Sequence, residues 1–300
     1  MSFSTLRDIF AGRVGVDSCV RSVLFLKSPS NVKKYLKNVH LLVFHGYDDR
    51  KNERWKEYPC SQNVAPILEK DFSDPIFMDK YALKLSFDIA RFMEFLEGYA
   101  KADFNIKPIM LHYSMIYLMD FFSRTWLKYE KNRGHGLKFS EDGKEYIVAV
   151  QESGLFPRAS DAFYLLSESN LFSADNVGGV GAQENLAGEI LFPKIDKRKY
   201  IERPKIRLTD LINASENLEG RYLYSPGDSN QILIEYAILF ATSSISRYNA
   251  EGWHKMQGET DLRNRLDLVQ YNFLYEWIPS ILKRTILTEG LERRLGLSGP

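Results

Sequence analysis

The stretch from Asn105 to Tyr129 constrains this chain more than any other. Ile109, Met110, Tyr113, Ile116, Tyr117, Phe121 and Trp126 fall on nearly every side of a helix with a 3.6-residue period. A helix that is apolar all round has no face to offer water and sits centrally in a bundle. Pro108 is compatible with its first turn, where the missing N–H costs nothing. The most apolar window, Pro108 to Met119, is interrupted by His112 and Ser114 and closed by Asp120. A membrane span needs about 20 apolar residues, so the window reads as a buried helix with no membrane partner.

The rest of the pattern is also helical. Leu85, Ile89, Phe92, Met93, Phe95 and Leu96 repeat at helical spacing within Asp79 to Lys101, which is expected to pair antiparallel with the central helix. Residues 17–41 read as helical, with Ser30 as N-cap of a second segment. Residues 44–75 hold Gly46, Pro59 and Asp74-Pro75 and read as a long connection. Asn230 to Tyr248 and Asp261 to Glu289 supply the last helices, broken at Pro279, and Thr209 is expected to cap a helix from Asp210 to Leu218. Glu145 to Val150 is the best strand, with Leu137 to Phe139 its nearest partner, because a lone strand is unstable. Asp161 to Ser167 looks like a short helix. The expected architecture is mainly α: one compact domain over residues 1–300, with helical blocks 17–135 and 205–290 around a mixed strand-and-loop insert, 136–204.

Composition narrows the function classes. Lys and Arg total 40 against 39 Asp and Glu, a net charge of +1, which argues against a polybasic nucleic-acid binder. That average hides an asymmetry. Lys194, Lys197, Arg198, Lys199, Arg203, Lys205 and Arg207 stand against Asp196 and Glu202, a local +5, with Tyr200 interleaved. Such a segment can follow a phosphate backbone while the tyrosine stacks on a base. The plainer alternative is a solvated linker. Cys19 and Cys60 are too few for a disulfide framework and form no CxxC pair. The start of the sequence lacks the layout of a secretory signal, so the cytoplasm is the expected compartment.

Motifs for cofactors and metals are weak. Gly178-Gly-Val-Gly181 has neither the Lys-Ser/Thr of a P-loop nor the strand and helix of a dinucleotide turn, and reads as a loop. His45 beside Asp48 and Asp49 is a thin case for a cation, and no HExxH occurs. No cofactor and no metal site is expected. His112 reads as a core histidine with its hydrogen bonds satisfied. His135 lies between Gly134 and Gly136, which allow close backbone approach. It is either a proton carrier near neutral pH or part of a helix-ending turn with Gly134 at C′.

Arg247-Tyr-Asn-Ala-Glu-Gly-Trp-His254 is the most suggestive stretch. An arginine can brace a phosphate as charge builds in the transition state, and a histidine can move the proton of a 2′-hydroxyl. The plain alternative is that Arg247 pairs with a carboxylate and Trp253 fills the core. The spacing of Arg247 and His254 resembles the Arg-x4–6-His pattern of HEPN ribonucleases, although Gly252 interrupts the expected helix. That resemblance implies metal-independent RNA cleavage, a stress or phage-defence role and a homodimer sharing the site. Arg247 and His254 would be its catalytic residues, with His135 as a second candidate.

A wider series also occurs in order. Ser28-Pro-Ser-Asn-Val32 with Tyr35-Leu36 comes first, then Ile106-Lys-Pro-Ile109, His135-Gly136 and Gly154-Leu-Phe156. Ser246-Arg-Tyr248 with Trp253, Glu276-Trp-Ile-Pro279 and Ile286-Leu287 follow. Over about residues 20–290 the chain resembles the bacterial YaaC-like family. This implies a mostly helical cytoplasmic protein and adds little chemistry. The expected function is therefore an RNA- or DNA-binding effector or ribonuclease, against a non-enzymatic helical subunit that binds a protein partner.

Overall fold

A computed structural model describes residues 16–45, 65–66, 71, 73–128, 134–143, 145–151, 154–159, 162, 205–216, 227–278 and 281–282. Of these, 78 % are helical, so the fold is mainly α. The chain opens with α1 (Val16–Phe25) and α2 (Pro29–His45). They are two helices because Pro29 occupies the first helical position of α2. Ser28 precedes it and gives its carbonyl to the amides of Asn31 and Val32 (both 3.0 Å). Ser30 therefore lies inside α2 and does not cap it.

Two long helices follow, α3 (Pro75–Lys101) and α4 (Lys107–Trp126). α3 begins four residues before the periodic pattern, because Asp74 accepts from the Ile76 amide at 2.9 Å and Pro75 starts the first turn. α3 and α4 run antiparallel. Phe92 lies beside Ser114, Asp88 beside Arg124, and Tyr81 beside Leu127. Leu85, Ile89, Phe92 and Leu96 of α3 are wholly buried against α4, each stabilising the fold by about 1.5–3 kcal/mol. α4 is buried on nearly all sides, including its polar residues His112, Ser114, Asp120, Ser123 and Arg124.

The sheet structure is small. β1 (Ala65–Pro66) pairs antiparallel with β2 (Leu127–Lys128) directly after α4, inside a stretch read as a connection. β3 (Leu137–Asp142) and β4 (Glu145–Val150) form a hairpin in the register Leu137↔Val150, turning at Gly143. β5 (Lys205–Arg207) adds to β4 with Ile147↔Arg207, giving the order β3-β4-β5.

The remaining helices are α5 (Leu208–Glu216), α6 (Gly227–Tyr248), α7 (Ala250–Gly258) and α8 (Thr260–Asn272), the last running into a π-helical turn, Phe273–Trp277. Thr209 is already within α5, so it is not the cap. α6 is buried from Ile232 through Ile245 and packs on both α4 and the hairpin. α1 to α4, the sheet and α5 to α8 contribute to one buried hydrophobic cluster. Among the described residues no helix is long and apolar enough to cross a membrane. The expected break at Pro279, the glycine loop at 178–181 and nearly all of the expected 161–167 helix lie outside the described residues.

Candidate functional site

Three elements bring polar groups together beside the central helix. From α6, Tyr236, Phe240, Ser243 and Arg247 recur at steps of four, three and four and form one stripe. From α4 come His112 and Tyr113. From the segment before β3 comes His135.

His135 is held by an unusual piece of backbone. Gly134 (φ 86°), Gly136 (φ 77°) and Gly154 (φ 127°) all adopt left-handed conformations that side chains resist. A Cβ on Gly154 would collide with the Gly136 amide nitrogen, and one on Gly136 would come within 2.5 Å of Pro157 Cδ. Three amide bonds lock the crossing: Gln151 to the Gly136 carbonyl (2.8 Å), Leu155 to Gly134 (3.1 Å) and Phe156 to His135 (2.9 Å). The loop is not a helix end. α4 terminates at Trp126 with Leu127 as C-cap, so Gly134 is not the C′ residue of that helix.

Arg247 lies with its guanidinium carbon 5.1 Å from the Tyr113 ring centre and 5.3 Å from that of Tyr248, a cation–π sandwich. Its Nη1 donates to the Tyr248 hydroxyl at 3.3 Å and its Nη2 to Ser243 Oγ at 3.4 Å. Among the described residues no carboxylate pairs with it. Of the plain alternative, one half holds. Trp253 is buried, with its indole N–H on Asn105 Oδ1 at 2.9 Å, while Arg247 meets no carboxylate among the described residues.

The imidazoles of His112 and His135 stand with ring centres 5.3 Å apart, and Phe240 packs against both. His112 is 2 % exposed, yet neither ring nitrogen has a hydrogen-bond partner among the described residues. The expected satisfied core histidine is thus buried and, among the described residues, unsatisfied, a costly condition in a protein interior. Burial holds His112 well below the usual histidine range, with His135 and Arg247 adding to it through their charges. Burial and the Arg247 charge also lower His135. Both rings are therefore neutral near pH 7, able to accept a proton.

His254 is placed differently. It is exposed on α7, and no hydrogen bond, ion pair or ring contact joins it to Arg247. The break between the two residues is at Asn249, not Gly252. Asn249 caps α7 by accepting from the Gly252 amide at 2.6 Å and donates to Glu141 of β3 at 2.7 Å. Gly252 sits within α7, close against the Tyr146 hydroxyl.

Of the basic segment, Lys194, Lys197, Arg198, Lys199, Tyr200 and Arg203 lie outside the described residues. Lys205 and Arg207 are on β5, so the end of the expected linker is sheet. Arg207 is matched by Asp210 at 2.8 Å and Glu145 at 3.4 Å. The side chains of the His45-Asp48-Asp49 group are also outside the described residues. Among those described, no three His, Cys, Asp or Glu side chains gather to hold a metal.

His112, Tyr113 and Ser243 were not legible as site residues from local motifs. The α6 stripe could have signalled Ser243, because a stripe of Tyr, Phe, Ser and Arg on an otherwise apolar helix ends in a charge that must face something. His112 carried no such signal, since it is set in an apolar helix like any core residue. No protein-family model, no curated protein and no solved structure matches this chain.

Proposed function

We propose that this is a HEPN-like, metal-independent ribonuclease of the cytoplasm with a YaaC-like helical framework, and that Arg247 and His135 carry its chemistry. The observation supporting this is Arg247, in contact with two tyrosine rings, without a carboxylate partner among the described residues, and acting on two neutral imidazoles. A guanidinium left in that state favours an oxyanion, and its planar donor fork suits phosphate. Tyr248 is 75 % exposed and offers a ring on which a base can stack. In the reaction, His135 takes the proton of the 2′-hydroxyl, the 2′-oxygen attacks phosphorus and the bond to the 5′-oxygen breaks. Arg247 balances the charge on the phosphoryl oxygens, and the imidazolium so formed at His135 returns the proton to the leaving 5′-oxygen. The products are a 2′,3′-cyclic phosphate and a 5′-hydroxyl.

The test is cleavage of single-stranded RNA in EDTA. Arg247→Ala should lower the rate by roughly 100-fold or more, and His135→Ala by a similar factor, with His254→Ala near wild type. The reverse order for the two histidines would move the site to Arg247 and His254, the arrangement a homodimer would share. Activity equal in wild type and Arg247→Ala would end the ribonuclease reading. The second reading, a non-enzymatic interaction subunit, is favoured by Ile76, Leu83 and Phe87. They lie 79 %, 62 % and 50 % exposed along one face of α3 and suit an apolar protein partner.

A further inference from the structure

Two features of the Arg247 region share one electrostatic explanation. Among the described residues the guanidinium has no carboxylate partner and the buried His112 has two ring nitrogens without partners. Each is unfavourable alone. A single oxyanion at Arg247 would relieve both, by balancing the guanidinium and by making a nearby proton welcome.

The groups facing His112 define what that proton would meet. His135 comes from the glycine loop, Tyr113 is its neighbour on α4, and Tyr236, Phe240 and Arg247 come from α6. The charges acting on His112 are those of His135 and Arg247, both positive when charged, with no carboxylate among them. Asp120 acts on Tyr236, which packs against His112. The charges of His135 and Arg247 both oppose protonation of His112.

We infer that a phosphate-class oxyanion docked on Arg247 is bound together with a single proton, which the His112–His135 pair takes up. The inference rests on the phosphate-binding reading of the site and adds to it the protonation state of the bound complex. The docked anion cancels the repulsion from Arg247 and supplies an attraction of its own. One proton enters and not two, because the imidazoles, 5.3 Å apart, repel each other when both are charged. The two rings then titrate as one unit. The bound complex holds one neutral imidazole and one imidazolium. The substrate meets the part-exposed His135, which takes the 2′-hydroxyl proton and gives one to the leaving 5′-oxygen, while the buried His112 shares the pair's proton without touching the substrate. One proton is accepted and one released in each cleavage, so the pair returns to its starting charge.

The experiment is calorimetric titration of the full chain at neutral pH, repeated in buffers of different ionisation heat. One arm uses inorganic phosphate. The other uses a short oligoribonucleotide with 2′-methoxy groups, which binds without being cut. The expected result is close to one proton taken up per phosphate bound, with affinity rising up to about tenfold for each unit the pH falls within the window. His112→Phe and His135→Gln should each reduce the uptake, and the double variant should bind without it. Thermal unfolding checks that each variant folds, and His112→Gln replaces His112→Phe if the latter does not. Absence of phosphate binding, binding without a linked proton, or uptake that survives the double variant would each overturn the inference. Proton-linked binding without RNA cleavage would sustain it and overturn the ribonuclease reading. Cleavage without proton linkage would do the opposite. Binding of phosphate but not of the oligonucleotide would sustain it and assign the site to a small phosphorylated ligand.

Discussion

At the scale of single residues, Asp88, Asp120 and Arg124 show the cost of placing charge between α3 and α4. All three are at most 5 % exposed. Arg124 gives its Nε and Nη2 to Asp120 Oδ2 at 3.2 and 3.1 Å and only approaches Asp88 Oδ2, at 3.4 Å. Two carboxylates thus share one guanidinium. Burial first, and then the Asp120 charge, raise Asp88 well above its ordinary value of 3.8, against the pull of Arg124 and Lys84. The folded protein holds this proton more tightly than the unfolded chain does. Stability is therefore fully present below the unfolded value and declines as pH rises through the folded one. Asp88→Asn should remove that decline and leave the protein at least as stable as wild type at neutral pH. Arg124→Met, which removes the shared guanidinium from the buried carboxylates, should cost about 3–5 kcal/mol. Urea unfolding of both variants decides it. A loss of that size in Asp88→Asn would show an ionised Asp88 that the fold depends on.

At the scale of elements, the glycine crossing that carries His135 makes a sharper claim. Gly154→Ala puts a methyl group into the Gly136 backbone at φ 127°. It should lower stability by about 1–3 kcal/mol and shift the His135 ring resonances. Gly143 also has positive φ, 65°, but a Cβ there meets nothing within 4 Å. Gly143→Ala should therefore cost about 1 kcal/mol and leave His135 unmoved. Equal effects in thermal unfolding and histidine NMR would mean that the crossing is not what positions the ring.

These elements also show what local patterns can and cannot carry. The α4 burial, the β4 strand and its partner, and α6 were all legible, because period and length are properties of a contiguous stretch. The start of α3 was missed because Asp74-Pro75 serves a turn or a helix cap equally well, and only the Ile76 amide decides. β1, β2 and β5 were missed because strands of two or three residues have no period; their partners are distant in sequence. For the site, Arg247 and His135 were legible as residue types in unusual settings. Their neighbours Tyr113 and His112 depend on how α4 meets α6, and no spacing within one segment encodes that.

At the scale of the whole molecule, the near balance of 40 basic and 39 acidic residues resolves into two kinds of charge. Arg207 is matched on the surface by Asp210 and Glu145, and Arg247 is matched by nothing charged among the described residues. The architecture also sets an order of assembly. In the hairpin, Asp142 meets Glu145 across a tight turn, whereas Ile147 meets Arg207 only after the whole 148–206 stretch has closed. Closing a longer loop costs more entropy, and distant pairings form later. Pulse-labelled hydrogen exchange during refolding should show the Gln151 amide, which bonds to Gly136 beside the hairpin, protected before the amides of β5. Simultaneous protection would mean that the three strands close as one unit.

The position of the glycine crossing along the chain has a consequence for synthesis. A ribosome delivers β3, β4 and the 154–156 segment well before α6, and domains begin to fold as they emerge. The loop that presents His135 can close on its own local bonds at that stage, while Arg247 is still unmade. A nascent chain therefore carries the His135 loop before Arg247 exists. Under the proposed ribonuclease function, the newborn protein would be inert toward the RNA around it until its last third has left the exit tunnel.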